Sequence, residues 1–122
     1  MEASPHILIA EDESLVALAL AAVLEDQGFR VTVTYNGRQA LEADARDAAD
    51  ILVTDLRMPV MEGGELIREI RRSRPGLPVV VMTANGDLLP REERDRTFLL
   101  RKPFRLGSLI EIVQSMRLGV AA

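Results

Sequence analysis

The 122-residue sequence is 48% apolar, carries a formal net charge of −4, and contains one histidine and no cysteine. These values predict a single domain over residues 1–122 and exclude disulfides, thiolate metal sites and a multi-histidine zinc site. No apolar run is long enough to span a bilayer, and the basic residues are scattered among acidic ones, so neither a membrane nor nucleic acid is expected as a partner. The cysteine-free composition suits a reducing compartment, and we expect a cytoplasmic protein.

Five short apolar runs alternate with stretches of helical spacing, and each run predicts a strand. The predicted strands are residues 6–10, 30–35, 50–55, 78–84 and 97–102, and the predicted helices are residues 14–27, 37–45, 65–74 and 106–117. The first, third and fourth runs are almost wholly apolar, which is typical of central strands, whereas the alternating second run predicts an edge. This order predicts a doubly wound parallel α/β sheet with helices on both faces.

The connection between the fourth and fifth strands is the irregular part of the chain. Pro90 lies where a fourth helix would form, so any helix there begins near Pro90 and is short. Outside this connection, we interpret His6 as structural, Leu99 as a core residue, and the basic run at residues 68–74 as a solvated face. Met58 and Met61 are expected to pack against the core.

Charged and hydroxyl side chains follow the predicted strands where each strand ends. Glu11 and Asp12 follow the first strand, Asp55 ends the third, Thr83 ends the fourth and Lys102 ends the fifth. Because the carboxyl ends of parallel strands share one edge of a sheet, these side chains should converge. Three carboxylates and one ammonium leave a local charge of roughly −2, so the cluster either protonates or recruits a cation. Oxygen ligands without histidine or cysteine favour Mg²⁺.

A carboxylate beside a divalent cation and a lysine is suited to attack phosphorus. The two cations neutralise the oxygens of an incoming phosphoryl group, and a neighbouring hydroxyl such as that of Thr83 can hydrogen-bond one of them. The product would be an acyl phosphate on Asp55.

Four motifs at the ends of successive strands give the sequence a recognisable family pattern. They are "ED" at Glu11 and Asp12, "VTDLRMPVMEGGEL" around Asp55, "VVVMTA" ending at Ala84, and "RKPF" containing Lys102. With these motifs the chain resembles the receiver domain of two-component response regulators, over essentially its whole length. The resemblance implies a flavodoxin-like sheet in the order 2-1-3-4-5. It also implies that a sensor histidine kinase or a histidine phosphotransferase supplies a phosphoryl group and that a downstream protein reads it.

The resemblance also implies a role for each site residue. Asp55 would accept the phosphoryl group and, with Asp12 and the backbone carbonyl of Arg57, would bind Mg²⁺, while Glu11 would act through a water molecule. Thr83 and Lys102 would contact the phosphoryl group. The Lys102–Pro103 peptide bond would be cis, which an X-Pro bond allows at low cost.

Two departures from the family pattern limit these expectations. Leu99 stands where the family usually has an aromatic switch residue, and the short segment around Pro90 resembles receivers with a reduced fourth helix. A docking module without phosphotransfer therefore stays an alternative. An aspartyl-nucleophile phosphohydrolase is disfavoured, because Arg57 occupies the place of its general acid, so we expect no enzymatic activity beyond self-catalysed phosphorylation and dephosphorylation. We expect a monomer or weak dimer. Two alternatives stay open for the chain: it is a stand-alone regulator, or it is a piece of a hybrid kinase.

Overall fold

The computed structural model describes residues 4–84 and 96–121, with side chains described as far as Met116 in the final helix. Five parallel strands form one sheet in the order β2-β1-β3-β4-β5. The strands are β1 (His6–Ala10), β2 (Arg30–Thr34), β3 (Ile51–Asp55), β4 (Val79–Thr83) and β5 (Thr97–Arg101). The helices within the described ranges are α1 (Ser14–Asp26), α2 (Gly37–Arg46), α3 (Gly63–Ser73) and α4 (Leu106–Ala121). The predicted doubly wound sheet and its strand order are confirmed, while the predicted short helix near Pro90 lies outside the described residues.

Helices cover both faces of the sheet, because alternate residues of each strand point to opposite faces. On one face, Leu8 and Leu52 of the strands pack against Leu66 and Ile70 of α3 and against alanines of α2. On the other face, a second apolar cluster joins the strands to α1 and α4. All residues of β1, β3 and β4 are buried, as predicted for central strands. Each fully buried large aliphatic side chain contributes about 1.5–3 kcal/mol to folding.

The two edge strands differ from the central three in their exposure. The prediction that β2 is an edge strand is confirmed. The prediction that Leu99 is a core residue is wrong, since its side chain is 54% exposed. Leu99 lies on β5, which among the described residues has a neighbouring strand only on the β4 side.

The helix limits agree with the sequence to within a few residues. Gly28 follows α1 as predicted, and its N–H donates to the carbonyl of Glu25 at 3.0 Å. α3 begins at Gly63, two residues before the predicted start. In the described ranges, no helix combines the length and apolar content that a membrane crossing requires.

Polar side chains at the amino-terminal edge of the sheet have partners within the fold. His6 is buried, with Nε2 2.7 Å from the Thr32 hydroxyl and Nδ1 3.1 Å from the carbonyl oxygen of Ala48, which agrees with a structural role. Arg74 forms an ion pair with Asp44 and donates to a backbone carbonyl of the loop before β3.

The basic run at residues 68–74 has two kinds of arginine. Arg68 and Arg72 are exposed, as predicted for a solvated face. For Arg71 and Arg74 this prediction is wrong, because both reach backbone carbonyls of other segments. Arg71 donates to Leu77 at 2.8 Å and to Arg96 at 3.1 Å, and so joins α3 to the residues that precede β4 and β5.

Candidate functional site

Three charged side chains meet at the carboxyl edge of the sheet. Lys102 Nζ lies 2.8 Å from Asp55 Oδ1 and 3.1 Å from Glu11 Oε1. Both carboxylates are buried, with Glu11 fully inaccessible and Asp55 6% exposed. The backbone places the lysine there, because the Lys102 N–H donates to the carbonyl of Thr83 at 2.7 Å and so holds the end of β5 beside β4.

Glu11 is fixed by backbone contacts on both sides. Its N–H donates to the carbonyl of Thr34 at 3.1 Å, which extends the pairing of β1 with β2 beyond Ala10. One carboxylate oxygen accepts the N–H of Glu13 at 3.0 Å, and the other faces Lys102. Asp12 is exposed beside it. Carboxylate oxygens of Glu11, Asp12 and Asp55 all lie within 4.8 Å of one another, an arrangement that could hold a metal ion.

The two buried carboxyl groups have opposite pKa shifts. Burial, and then the adjacent Glu11 carboxylate, raise the pKa of Asp55 to about 7 despite the opposing effect of Lys102. Burial acts to raise the pKa of Glu11 as well, but hydrogen bonds with Asp55, the Glu13 N–H and Lys102 outweigh it and lower that pKa. The ion pairs raise the pKa of Lys102 against the effect of its own burial. The raised pKa favours the protonated form of Asp55 in the metal-free protein, and a bound cation would favour the carboxylate.

The hydroxyl of Thr83 faces the same region without a partner. Thr83 is 5% exposed, and within the described parts of the chain its Oγ1 is buried and accepts or donates no hydrogen bond. It lines a cavity of about 230 Å³ together with Asp12, Asp55, Arg57 and Lys102. An unsatisfied buried hydroxyl costs about 1–3 kcal/mol, so a ligand in this cavity that accepts its hydrogen bond would stabilise the site.

The loop that follows β3 is packed tightly against Asp55. A Cβ at Gly63 would lie only 2.0 Å from the carbonyl oxygen of Asp55, so the start of α3 can approach the strand end only with glycine there. The Gly63 N–H donates to the carbonyl of Leu56 at 2.9 Å. Met58 is buried and Met61 packs against the same cluster, as predicted.

The residues present fit a hard divalent cation. The residues that line the cavity include the carboxylates Asp12 and Asp55 and the hydroxyl residue Thr83, and oxygen donors are what Mg²⁺ prefers. The surplus of negative charge in the acidic cluster supplies the electrostatic attraction. The Lys102–Pro103 peptide bond is cis, as predicted.

An apolar groove beside the charged cluster was not predicted from the sequence. Its volume is about 730 Å³, and its lining extends from Leu15 and Ala19 of α1 to Lys102, Phe104 and Leu106. Leu15 is 82% exposed, and Leu18 on the same helix is 54% exposed. The sequence signal was present, because α1 is apolar on more faces than one sheet contact can cover.

Comparison with known proteins identifies the family. The response regulator receiver domain family matches residues 7–114. A response regulator receiver protein of Anaeromyxobacter sp. (strain Fw109-5) is 36% identical over 108 residues, which are 86% of this chain and 45% of that protein. The DNA-binding transcriptional regulator NtrC of Escherichia coli (strain K12) is 32% identical over 88% of this chain and 24% of its own length. This chain thus spans about a quarter to a half of these curated relatives.

Solved structures show the same architecture. A response regulator receiver protein from Sinorhizobium medicae WSM419 superimposes with a TM-score of 0.80 at 30% identity, covering 93% of this chain and 94% of that one. A putative response regulator from Chloroflexus aurantiacus J-10-fl gives a TM-score of 0.83 at 28% identity, covering 93% and 97%. The match over residues 7–114 and these likenesses show that the chain belongs to the receiver domain family of two-component response regulators.

Proposed function

We propose that this receiver domain accepts a phosphoryl group on Asp55 in a Mg²⁺-dependent transfer from a phosphohistidine and thereby switches a protein–protein interaction surface. The observation that carries the proposal is the Thr83 hydroxyl, which is buried without a partner among the described residues and lines one cavity with Asp55 and Lys102. A phosphoryl group on Asp55 would supply oxygens for both the hydroxyl and the ammonium.

The transfer step uses the ionised form of Asp55. A carboxylate oxygen attacks phosphorus, the phosphorus–nitrogen bond to the donor imidazole breaks, and the imidazole leaves with the electron pair and takes up a proton. Lys102, 2.8 Å from Asp55, neutralises the oxygens of the transferred group, and Thr83 donates a hydrogen bond to one of them. The product is an acyl phosphate on Asp55.

Asp12, Asp55 and the backbone carbonyl of Arg57 would hold Mg²⁺, and Glu11 would contribute through a water molecule. When bound, the ion neutralises developing negative charge on the phosphoryl oxygens. The less direct part assigned to Glu11 agrees with its geometry, because both of its carboxylate oxygens already have partners in Lys102 and the Glu13 N–H. These assignments rest on the acidic cluster and on the family, whose members typically bind Mg²⁺ in such a pocket.

The phosphohistidine donor would be a sensor histidine kinase or a histidine phosphotransferase that docks on the apolar groove beside Lys102. Leu15, Leu18, Ala19 and Ala22 are all exposed and recur at the spacing of one helix face. Such a stripe suits packing against a helix of the partner. Lys102 lines the groove and lies 2.8 Å from Asp55, so a partner seated there would bring its histidine near Asp55.

Phosphorylation by a small donor tests the proposal. Incubation with phosphoramidate and Mg²⁺ should add one phosphoryl group to the wild-type protein and to Asp26→Asn, a change at the exposed end of α1. Asp55→Asn should gain none, as read by intact-protein mass spectrometry. A mass gain that persists in Asp55→Asn would contradict the site.

The domain would act by switching rather than by turnover. Arg57 lies two positions after Asp55, where an aspartyl-nucleophile phosphohydrolase would need a general acid. We therefore propose that its chemistry is limited to its own phosphorylation and dephosphorylation. Multiple turnovers of a generic phosphate ester such as p-nitrophenyl phosphate would contradict this, and a docking module without phosphotransfer would be favoured if no donor phosphorylates Asp55.

A further inference from the structure

The loop between β3 and α3 is held by a contact from the neighbouring crossover. The N–H of Gly37, the first residue of α2, donates to the carbonyl of Met61 in this loop at 2.9 Å. A Cβ at position 37 would lie 2.5 Å from that carbonyl oxygen and 2.8 Å from the Met61 Cγ. A side chain at this position would therefore push on the backbone of the loop, and glycine is what allows the contact.

The start of α2 is fixed by its own capping interactions. The Asn36 side chain accepts the N–H of Gln39 at 2.9 Å, and the Gln39 side chain accepts the N–H of Tyr35 at 2.9 Å. Reciprocal contacts of this kind anchor the first turn of a helix. If a side chain at position 37 pushed Gly37 and Met61 apart, the loop that contains Met61 would therefore move, and the start of α2 would stay in place.

The loop itself contains a strained turn. The Met61 N–H donates to the carbonyl of Pro59 at 2.7 Å, and the residue between them, Val60, has a φ of 70°. A β-branched residue rarely adopts a positive φ. A three-residue turn whose central residue has a positive φ is also the rare form of such turns. Val60 is 74% exposed, so its own side chain contributes little packing to hold the turn. Contacts on either side must hold it, and the bond from Gly37 is one of them.

We infer that Gly37 is a positioning residue for the metal site. By holding Met61, it fixes the loop whose first residues, Leu56 and Arg57, line the cavity beside Asp55. The inference rests on the proposed function, which assigns Mg²⁺ to that cavity. Displacement of groups that orient metal ligands weakens metal binding by about 10–100-fold, so a small shift of this loop should be measurable in the affinity.

The substitution Gly37→Ala tests the inference directly. Its Mg²⁺ dissociation constant, measured by titration calorimetry, should rise about tenfold relative to wild type. The backbone amides of residues 55–62 should also shift in the NMR spectrum of the metal-free protein. A merely structural role would lower stability without either change.

Two variants serve as matched controls. Gly64→Ala makes the same change at the second residue of α3, where the nearest atom to a new Cβ is Arg68 Nη1 at 3.8 Å. Arg74→Met removes the ion pair with Asp44 at the amino-terminal edge of the sheet, away from the Gly37–Met61 contact, and so serves as the control for a loss of stability. Both should keep the wild-type Mg²⁺ affinity.

Hydrogen exchange on the wild-type protein tests the same inference even if the Gly37→Ala variant does not fold. If the Gly37 contact helps to place the loop for Mg²⁺, then Mg²⁺ must in turn stabilise the contact, because such coupling is reciprocal. Hydrogen exchange of the Gly37 amide should slow when Mg²⁺ is added, while the Asp47 amide, bonded to Ala43 at the far end of α2, should not change. If wild type binds Mg²⁺ but the Gly37 amide does not respond, the positioning role is overturned. If wild type binds no Mg²⁺, the metal site of the proposed function fails as well.

Discussion

Buried polar groups are paired differently at the amino-terminal edge of the sheet, where the strands begin, and at the carboxyl edge, where they end. At the amino-terminal edge, His6 contacts Thr32 and Ala48, and Arg74 is paired with Asp44. At the carboxyl edge, two buried carboxylates face one lysine, and Thr83 Oγ1 has no partner in the described part of the protein. Folded proteins pair nearly all their buried polar groups, so an edge that leaves some unpaired indicates a site that a ligand completes.

The amino-terminal and carboxyl edges also differ in their balance of positive and negative charge. The amino-terminal pairs match one arginine to one aspartate, as for Arg30 with Asp47. The carboxyl edge has an excess of negative charge, and burial together with the adjacent Glu11 carboxylate raises the pKa of Asp55 to about 7. The amino-terminal pairs are balanced in charge, whereas the acidic cluster at the carboxyl edge has a surplus of negative charge that a cation could neutralise.

The largest expected effect is on the chemistry of the carboxyl edge. Lys102→Met should slow phosphorylation by phosphoramidate about 100-fold, because it removes a preorganised cation next to the transferred group. Arg101→Met is the matched control, since Arg101 is basic, exposed and adjacent in sequence. The rate should be followed by mass spectrometry at fixed Mg²⁺. A wild-type rate in Lys102→Met would remove the lysine from the mechanism.

The second prediction removes the contacts of Arg74 at the amino-terminal edge. Arg74→Met should lower the free energy of unfolding by about 1–3 kcal/mol, because it removes the ion pair with Asp44 and the hydrogen bond to the Ala49 carbonyl. Urea denaturation measures this loss, and the phosphorylation rate of the folded fraction should be unchanged. Arg72→Met, at a residue whose side chain is 77% exposed, should change stability by less than about 0.5 kcal/mol. Equal losses in the two variants would contradict the structural role of Arg74.

The third prediction concerns pH and the metal-free protein. The folded-state pKa of Asp55, about 7, lies above the ordinary 3.8, so folding favours the protonated form. The stability from this group is complete below the ordinary value and is lost as pH rises through about 7. The lowered pKa of Glu11 acts in the opposite sense, but only in the acid range.

With a chelator present, the free energy of unfolding should therefore fall by about 1–2 kcal/mol between about pH 5.5 and pH 7.5. Asp55→Asn should remove most of this fall, and urea denaturation at the two pH values measures it. A slope that is the same in Asp55→Asn would place the titrating group elsewhere.

Much of this arrangement could be predicted from the sequence, because strand ends in a parallel sheet share an edge. Glu11, Asp55 and Lys102 each follow an apolar run, and their meeting needs only the topology. The partners of Arg74 could not be predicted, since they lie 25 and 30 residues away with no local pattern linking them.

The failures of prediction have physical causes too. Leu99 was assigned to the core because apolar residues usually are buried, but a strand with only one neighbour leaves part of its side chains uncovered. The positive φ of Val60 was also not predicted, because it opposes the intrinsic preference of valine. The expected cytoplasmic location stays a prediction.

The ion pair between Lys102 and Glu11 joins positions 91 apart in sequence. The lysine arrives with β5, an edge strand and the last strand of the sheet along the chain, so a growing polypeptide holds its acidic groups long before it holds their counter-ion. Under the proposed mechanism, efficient phosphorylation would therefore require the final strand to have docked. A phosphorylation assay would then also report the fraction of molecules in which β5 has docked on the sheet.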